Sequence, residues 1–196
     1  MWVEGWGILP GQLIVVSGPS GSGKSSVIRR VLGSPGLNLQ LSVSATTRAP
    51  RPGEDDGVDY SFLDRDEFLA ARDAGGFLEC AEYNGKFYGT PTAPALESMQ
   101  AGISVLLEIE VQGALQVRER APTALFVFFR TPVFRDLETR LRERGTEEES
   151  VIHRRLRTAR RELGEAHWYD HQIVNDDFET CVQDFTKLLK TYGCGG

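Results

Sequence analysis

Residues 13–26 read LIVVSGPSGSGKSS, and this stretch decides the fold. Leu13–Ser17 is a short apolar run rich in β-branched residues, which predicts a buried strand. After a glycine-rich turn, Lys24–Leu32 places its apolar side chains on one face, which predicts a helix. The turn, residues 18–25, matches the pattern G-x-x-x-x-G-K-[ST] without a mismatch. A strand, such a turn and a helix in this order predict a phosphate-binding loop on an α/β sheet.

The motif also predicts which atoms contact a nucleotide. Its glycines let consecutive backbone N–H groups turn toward a phosphate, the lysine brings a positive charge to the terminal phosphates, and the Ser25 hydroxyl is a Mg²⁺ ligand. The predicted ATP-binding residues of the loop are Gly18, Pro19, Ser20, Gly21, Ser22, Gly23, Lys24, Ser25 and Ser26. The loop alone predicts a nucleoside triphosphate site and leaves the phosphate acceptor open.

The composition is that of an ordinary globular protein. The 196 residues are 40% hydrophobic and 26% charged, which predicts a single domain and excludes collagen-like or disordered chains. With 22 Lys and Arg against 28 Asp and Glu, the net charge is −6, which disfavours nucleic acid and membrane surfaces as partners. The opening MWVEGWGILPG lacks the pattern of a secretion signal. Three cysteines without a CxxC pair are typical of a reducing compartment, so we expect a cytoplasmic protein, monomeric or homo-oligomeric.

Strand and helix patterns alternate along the rest of the chain. The further predicted strands are 38–44, 103–109, 124–129 and His171–Val174. The further predicted helices are 64–74, 93–100, 112–120, 132–144, 147–162 and Phe178–Thr191. This alternation predicts a parallel sheet flanked by helices. The part between Thr46 and Thr90 is a loop followed by a hairpin pattern around Asn84-Gly85, which predicts an insertion with its own small sheet.

Long motifs in the correct order resemble the guanylate kinase family. Besides the phosphate loop they are SVSATTRAPRPGEDDGVDY (42–60), FLECAEYNGKFYGTP (77–91), LLEIEVQGALQVR (106–118), RLRERGTEEES (140–150) and YDHQIVNDDFE (169–179). The resemblance covers nearly the whole chain. It implies that ATP phosphorylates GMP, and dGMP, in purine nucleotide metabolism.

The same resemblance implies a division of the single domain into three parts. These are a P-loop NTPase-type core (about 11–43, 91–139 and 161–196), an inserted mixed β/α GMP-binding region (about 44–90) and a helical lid (about 140–160).

Two arginines in a proline-rich loop are candidates for binding the acceptor phosphate. Arg48 and Arg51 lie three residues apart, and Tyr60 and Tyr88 lie in flanking segments. Two guanidinium groups and two phenols can bind a dianionic phosphate monoester. Taken alone, arginines in such a loop are more often exposed surface residues without a ligand. The resemblance implies that these four residues hold the GMP phosphate and that Arg48 is also catalytic.

The base of the acceptor needs a different kind of site. Guanine presents two adjacent donors, N1–H and the 2-amino group, and one carboxylate can accept from both, whereas adenine offers no such pair. The resemblance assigns this carboxylate to Glu79, and the hydroxyls that complete the base site to Ser44 and Thr90.

Glu108 ends a predicted strand where P-loop proteins keep a carboxylate that faces the metal and the phosphates. Glu110, two residues on, is expected on the same side. The guanylate kinase family usually has aspartates at both positions. The extra methylene leaves open whether Glu108 contacts the metal directly or through water, and a place for Glu108 in the GMP site is a further possibility.

The resemblance assigns three arginines of the charged helices, Arg140, Arg144 and Arg155, to a lid that closes over the phosphates. It places Asn175 near the adenine of ATP. Helices so rich in Arg and Glu are otherwise typical of solvated, ion-paired surfaces.

The implied reaction needs no general base, because the attacking phosphate oxygen is already ionised at neutral pH. The protein must instead position the reactants in line and supply positive charge. Two other functions stay open: a catalytically inactive guanylate-kinase-like module that binds protein partners, and a related kinase with a different acceptor.

Overall fold

The computed structural model describes residues 6–83, 85–143 and 148–195. Its α-helices are α1 (Lys24–Leu32), α2 (Arg65–Asp73), α3 (Thr92–Gln100), α4 (Val111–Arg120), α5 (Phe134–Glu143), α6 (Glu149–Gly164) and α7 (Phe178–Thr191). Short 3₁₀ helices lie at Trp6–Ile8 and Ala166–Trp168.

Five parallel strands form the main sheet. Their spatial order is β2 (Leu39–Leu41), β7 (Ser104–Glu108), β1 (Leu13–Ser17), β8 (Leu125–Arg130) and β9 (His171–Val174). Because β1 lies in the centre, the loop that follows it opens at the carboxyl edge of the sheet beside the ends of β7 and β8. This parallel sheet flanked by helices confirms the predicted fold class.

Alternate residues of β1 fill two separate cores. Ile14 and Val16 pack with α1 and α7 on one face, whereas Val15 packs with α3 and α4 on the other. Both faces of the strand are therefore buried, which explains why its sequence is a continuous apolar run.

A second sheet lies between residues 45 and 91. Its strand order is β4 (Ser61–Phe62), β3 (Ala45–Thr46), β6 (Lys86–Pro91) and β5 (Phe77–Tyr83). Strands β5 and β6 form the predicted antiparallel hairpin, although Asn84 at its turn lies outside the described residues. Phe68 of α2 stacks on Phe77 at 4.5 Å between ring centroids and gives this sheet its own apolar core.

Helices α5 and α6 have a further small core of their own. Leu137 and Leu141 pack against Ile152 and Leu156, apart from the cores of the main sheet. No helix in the described part of the chain is long and apolar enough to cross a membrane.

Most predicted elements are present, with two corrections near the site. The strand predicted at 38–44 is only Leu39–Leu41, because β2 is an edge strand that pairs with β7 alone. Glu110 does not continue β7: the strand ends at Glu108, and Glu110 is the N-cap residue of α4. The strand therefore ends one residue earlier than predicted, and Glu110 belongs to the start of α4, although it lines the same cleft as Glu108, as expected for the same side.

Candidate active site

The phosphate loop needs glycine at three positions. Gly18, Gly21 and Gly23 have φ angles of 148°, 93° and 81°, which other residues rarely adopt. A Cβ at Gly18 would lie 2.2 Å from the Phe129 carbonyl oxygen. The loop leads directly into α1, so the amino end of this helix faces the space that a phosphate would occupy.

Lys24, Ser25 and Glu108 meet at the base of this loop. In the sheet Val16 is paired with Glu108, which brings the end of β7 beside the loop. The Ser25 hydroxyl donates to Glu108 Oε1 at 2.5 Å, and Lys24 Nζ lies 3.4 Å from the same oxygen. Lys24 and Glu108 keep 16% and 26% of their side-chain surface exposed, so both remain accessible to a ligand.

The donor set of this cluster fits Mg²⁺, which prefers oxygen ligands and binds through one or two carboxylates, substrate phosphates and water. A serine hydroxyl and a carboxylate oxygen lie together at the loop. Within the described residues no group of three or more His, Cys, Asp or Glu side chains could hold a metal by itself. The longer Glu108 side chain still reaches Ser25.

Asn175 stabilises the phosphate loop through a hydrogen bond to its backbone. Its side chain is 5% exposed, and Nδ2 donates to the Ser22 carbonyl oxygen at 2.7 Å. A Cβ at Gly23 would lie 2.2 Å from the same Nδ2. The Asn175 backbone carbonyl accepts from Arg140 Nη2 at 3.0 Å. The structure thus gives Asn175 contacts that the sequence did not suggest.

Two of the three arginines predicted for a lid lie next to the loop. Arg140 is held there through Asn175, and Arg155 Nη1 donates to the Ser20 hydroxyl at 3.3 Å. Arg144 lies outside the described residues.

A cleft of about 270 Å³ adjoins the loop between the two sheets. Its lining residues are Ser44, Tyr60, Glu79, Ala81, Tyr83, Tyr88, Gly89, Glu108, Ile109, Glu110, Gln112 and Gly113. Five of these were predicted for the acceptor site. Glu108 lines the cleft and accepts a hydrogen bond from Ser25 of the loop, so a ligand in the cleft lies beside the phosphate loop.

Glu79 is the buried acid of the cleft. It is only 6% exposed, and Oε1 accepts from the Thr90 hydroxyl at 2.7 Å. Burial raises the pKa of Glu79 above its usual value, and the Thr90 hydrogen bonds oppose this shift by stabilising the carboxylate. Two of the three residues predicted for the base site are therefore in direct contact.

Glu54 is a site residue that the sequence reasoning missed. Both of its oxygens accept from the Arg48 guanidinium at 2.9 Å, and Oε2 also accepts from the Arg51 backbone N–H at 2.7 Å. The Arg48 hydrogen bonds lower the pKa of Glu54. The Arg48 guanidinium also lies 5.3 Å from the Tyr60 ring centroid, and the Tyr60 and Tyr88 rings meet edge to face at 6.2 Å. The only sequence signal for Glu54 is its place three residues after Arg51.

Glu162 is another ionisable residue near the site that the sequence analysis did not single out. It lies near the end of α6, and burial together with the charge of Glu110 raises its pKa to about 7 against the opposing charges of Lys24 and Arg161. The Glu162 carboxyl on α6 is therefore close enough to Glu110 and Lys24 for their charges to shift its pKa.

The phosphate loop, joined to a neighbouring cleft by the Ser25–Glu108 hydrogen bond, places the chain among the P-loop nucleotide-binding proteins. The family model described as guanylate kinase matches residues 10–192. The guanylate kinase of Rubrobacter xylanophilus is 47% identical over 186 residues, covering 95% of this chain and 97% of the relative. That of Gloeobacter violaceus is 50% identical over 179 residues, covering 91% and 86%. The chain belongs to the guanylate kinase family.

A solved structure agrees with this assignment. The crystal structure of guanylate kinase from Anaplasma phagocytophilum matches with a TM-score of 0.74 at 33% identity, covering 94% of this chain and 89% of the other.

Proposed function

We propose that this protein transfers the terminal phosphoryl group of ATP to GMP, giving ADP and GDP. Family membership supports this reaction. The observation that carries it for this chain is Glu108, which lines the acceptor cleft and also accepts a hydrogen bond from Ser25 of the phosphate loop. Donor and acceptor phosphates can therefore meet at one point.

On the donor side, the loop residues 18–26 hold the phosphates of ATP, and Lys24 supplies positive charge to the terminal phosphate. Ser25 and Glu108 are the residues that would hold Mg²⁺, and bound Mg²⁺ neutralises charge on the phosphate oxygens. Asn175 keeps the loop in its binding conformation through Ser22 and lies on the adenine side.

On the acceptor side, Arg48, Arg51, Tyr60 and Tyr88 bind the GMP phosphate. Before GMP arrives, the carboxylate of Glu54 occupies the Arg48 fork in the same two-point geometry that a phosphate uses.

The base is selected in the deeper part of the cleft. Glu79 accepts from N1–H and the 2-amino group of guanine, with Ser44 and Thr90 completing the site. The hydrogen bond from Thr90 leaves Oε1 oriented and favours the ionised carboxylate that this role requires.

Transfer requires alignment and exclusion of water. The attacking oxygen of GMP is already ionised, so no general base is needed, but water is a competing acceptor. We propose that residues 44–90 and 140–160 close over the substrates, which brings Arg140, Arg144 and Arg155 to the transferring phosphoryl group.

We place this reaction in purine nucleotide metabolism in the cytoplasm, with dGMP as a second acceptor. Cys80, Cys181 and Cys194 are free thiols, which fits a reducing compartment.

The test of the proposal is to measure ADP formation from ATP in the presence and in the absence of GMP. We expect ADP to form only when GMP is present, and GDP to be found as the second product. Lys24→Ala is the control variant: it removes a charge next to the phosphates and should reduce kcat by a factor of about 10² or more, with an unchanged circular dichroism spectrum. GMP-independent ADP release in the wild type, or more than about a tenth of wild-type kcat in Lys24→Ala, would contradict this mechanism.

A further inference from the structure

Helix α4 links the phosphate-loop side of the site, which contains Glu108, to the side that contains Glu79. It starts three residues after Glu108, and its middle packs against β5, which carries Glu79. Strand β5 lies at the end of the second sheet, next to β6 only. The open side of this strand is therefore the side that α4 covers.

Two side chains of α4 bind the backbone of β5 around Glu79. Gln116 accepts from the Cys80 N–H at 3.2 Å and donates to the Cys80 carbonyl at 3.0 Å. Arg120 Nη1 donates to the carbonyls of Phe77 and Leu78 at 2.6 and 2.8 Å. Backbone groups on both sides of Glu79 are thus held by the helix.

Gly113 of α4 contacts the Glu79 side chain itself. A Cβ at this position would lie 2.7 Å from Glu79 Oε2 and 3.1 Å from Cδ. Gly113 is inside a helix, where glycine is a poor choice, and it is not among the residues with positive φ. The close approach of the carboxylate is the reason that the structure gives for glycine here.

We infer that Gly113 and Gln116 are positioning residues for guanine selection: through them α4 fixes the depth and orientation of the Glu79 carboxylate. One oxygen is oriented by Thr90, and the other lies against the helix at Gly113. Two parallel hydrogen bonds to guanine require this fixed geometry, because misplacement by a fraction of a bond length weakens both. The inference rests on the proposed function of Glu79.

The first test replaces Gln116 by leucine, which keeps the size of the side chain and removes both hydrogen bonds. Glu119→Gln is the matched control, since Glu119 is exposed on the same helix. The measurements are kcat and KM for GMP, IMP and ATP; IMP keeps the N1–H donor and lacks the 2-amino group. We expect Gln116→Leu to raise KM for GMP about ten-fold and to reduce the GMP-over-IMP preference similarly, with KM for ATP within about two-fold.

A purely structural role of Gln116 gives a different result. In that case the thermal midpoint or kcat falls for both acceptors alike and the GMP-over-IMP preference stays at the wild-type value, which would overturn the inference.

The second test is a double-mutant cycle between Gly113 and Glu79, which also serves if Gln116→Leu does not fold. Calorimetry gives Kd for GMP in Gly113→Ala, Glu79→Ala and the double variant. We expect Gly113→Ala to weaken GMP binding about ten-fold in the wild type and less than about two-fold when Glu79 is absent. Equal losses in the two backgrounds would overturn the inference. Failure of wild-type protein to phosphorylate GMP would instead contradict the proposed function, so the two failures are distinguishable.

Discussion

At the scale of single residues, Glu79 is a buried carboxyl group whose oxygens need hydrogen-bond donors. Its carboxyl group is nearly inaccessible to water, accepts from the Thr90 hydroxyl through Oε1 and lines the cleft. A buried acceptor left without partners is unfavourable, so the proposed site should bind guanine, which donates two hydrogen bonds, more tightly than adenine, which lacks this donor pair.

Glu79→Gln tests this account. The amide N–H₂ would face a guanine donor, so kcat/KM for GMP should fall by a factor of up to about 10⁴, while the low activity with AMP should change little. Steady-state kinetics with both acceptors measures the ratio. If the GMP-to-AMP ratio equals that of the wild type, the base is selected elsewhere.

Glu108 lies between the phosphate loop and the cleft, and substitution distinguishes a role in metal and phosphate binding from a role in GMP binding. Because it contacts Ser25 and Lys24, Glu108→Ala should lower kcat by a factor of about 10² and raise the Mg²⁺ requirement, with Kd for GMP within a few-fold. Glu108→Asp should keep most activity, since a water can bridge the missing methylene.

Calorimetry of GMP binding without ATP or metal provides the check on Glu108. A large loss of GMP affinity in Glu108→Ala, with an unchanged Mg²⁺ dependence, would assign this residue to the acceptor site instead.

At the scale of elements, helix α6 contributes to two cores, the small core that it forms with α5 and, through Leu163, a core of the main sheet. Its first half packs on α5 through Ile152 and Leu156, and its last turn carries Glu162 toward the charges of Glu110 and Lys24. A carboxyl that ionises near neutral pH at this junction makes the stability of the helix depend on pH.

The sign of that dependence follows from the raised pKa. Folded protein holds the Glu162 proton up to about pH 7, whereas an unfolded chain releases it near the ordinary value of 4.5. The contribution to stability is therefore complete below about pH 4.5 and is lost as the pH rises through about 7.

Glu162→Gln should remove this contribution to the pH dependence. In the ligand-free protein, the variant should gain stability relative to the wild type between pH 5 and pH 8, because glutamine carries no charge at either pH. Urea unfolding at both pH values measures the difference, and Glu165→Gln, at an exposed neighbour, is the control. An identical difference between Glu162→Gln and wild type at both pH values would contradict the account.

At the scale of the whole molecule, the sequence predicts those helices, strands and loops whose pattern lies within one contiguous stretch of residues. The phosphate loop and α1 follow from a contiguous motif, and β9 and α7 follow from apolar periodicity, so their bounds agree with the structure. Family resemblance alone suggested that Glu79 and Thr90 belong to one site, and it did not predict the hydrogen bond between them.

Contacts between distant segments were not predictable in this way. Gln116 reaches Cys80 across 36 residues, and Asn175 reaches Ser22 across 153. Neither side chain belongs to a pattern that shows its partner, because the contact depends on how α4 and β9 pack against other elements. Glu162 was missed for the same reason, because the charges of Glu110 and Lys24 come from distant segments. Glu54 contacts residues only three and six positions away, but no pattern in that loop indicates these contacts.

The most direct test of the central claim compares five acceptors in one assay. Purified protein with MgATP is given GMP, dGMP, AMP, CMP or UMP, and ADP release is followed together with the identity of the diphosphate formed. A site that combines the phosphate loop with the buried Glu79 predicts turnover of GMP and dGMP, with kcat/KM higher than for the other three by a factor of about 10³ or more. Comparable turnover of all five acceptors, or preference for a base without adjacent donors, would contradict the account.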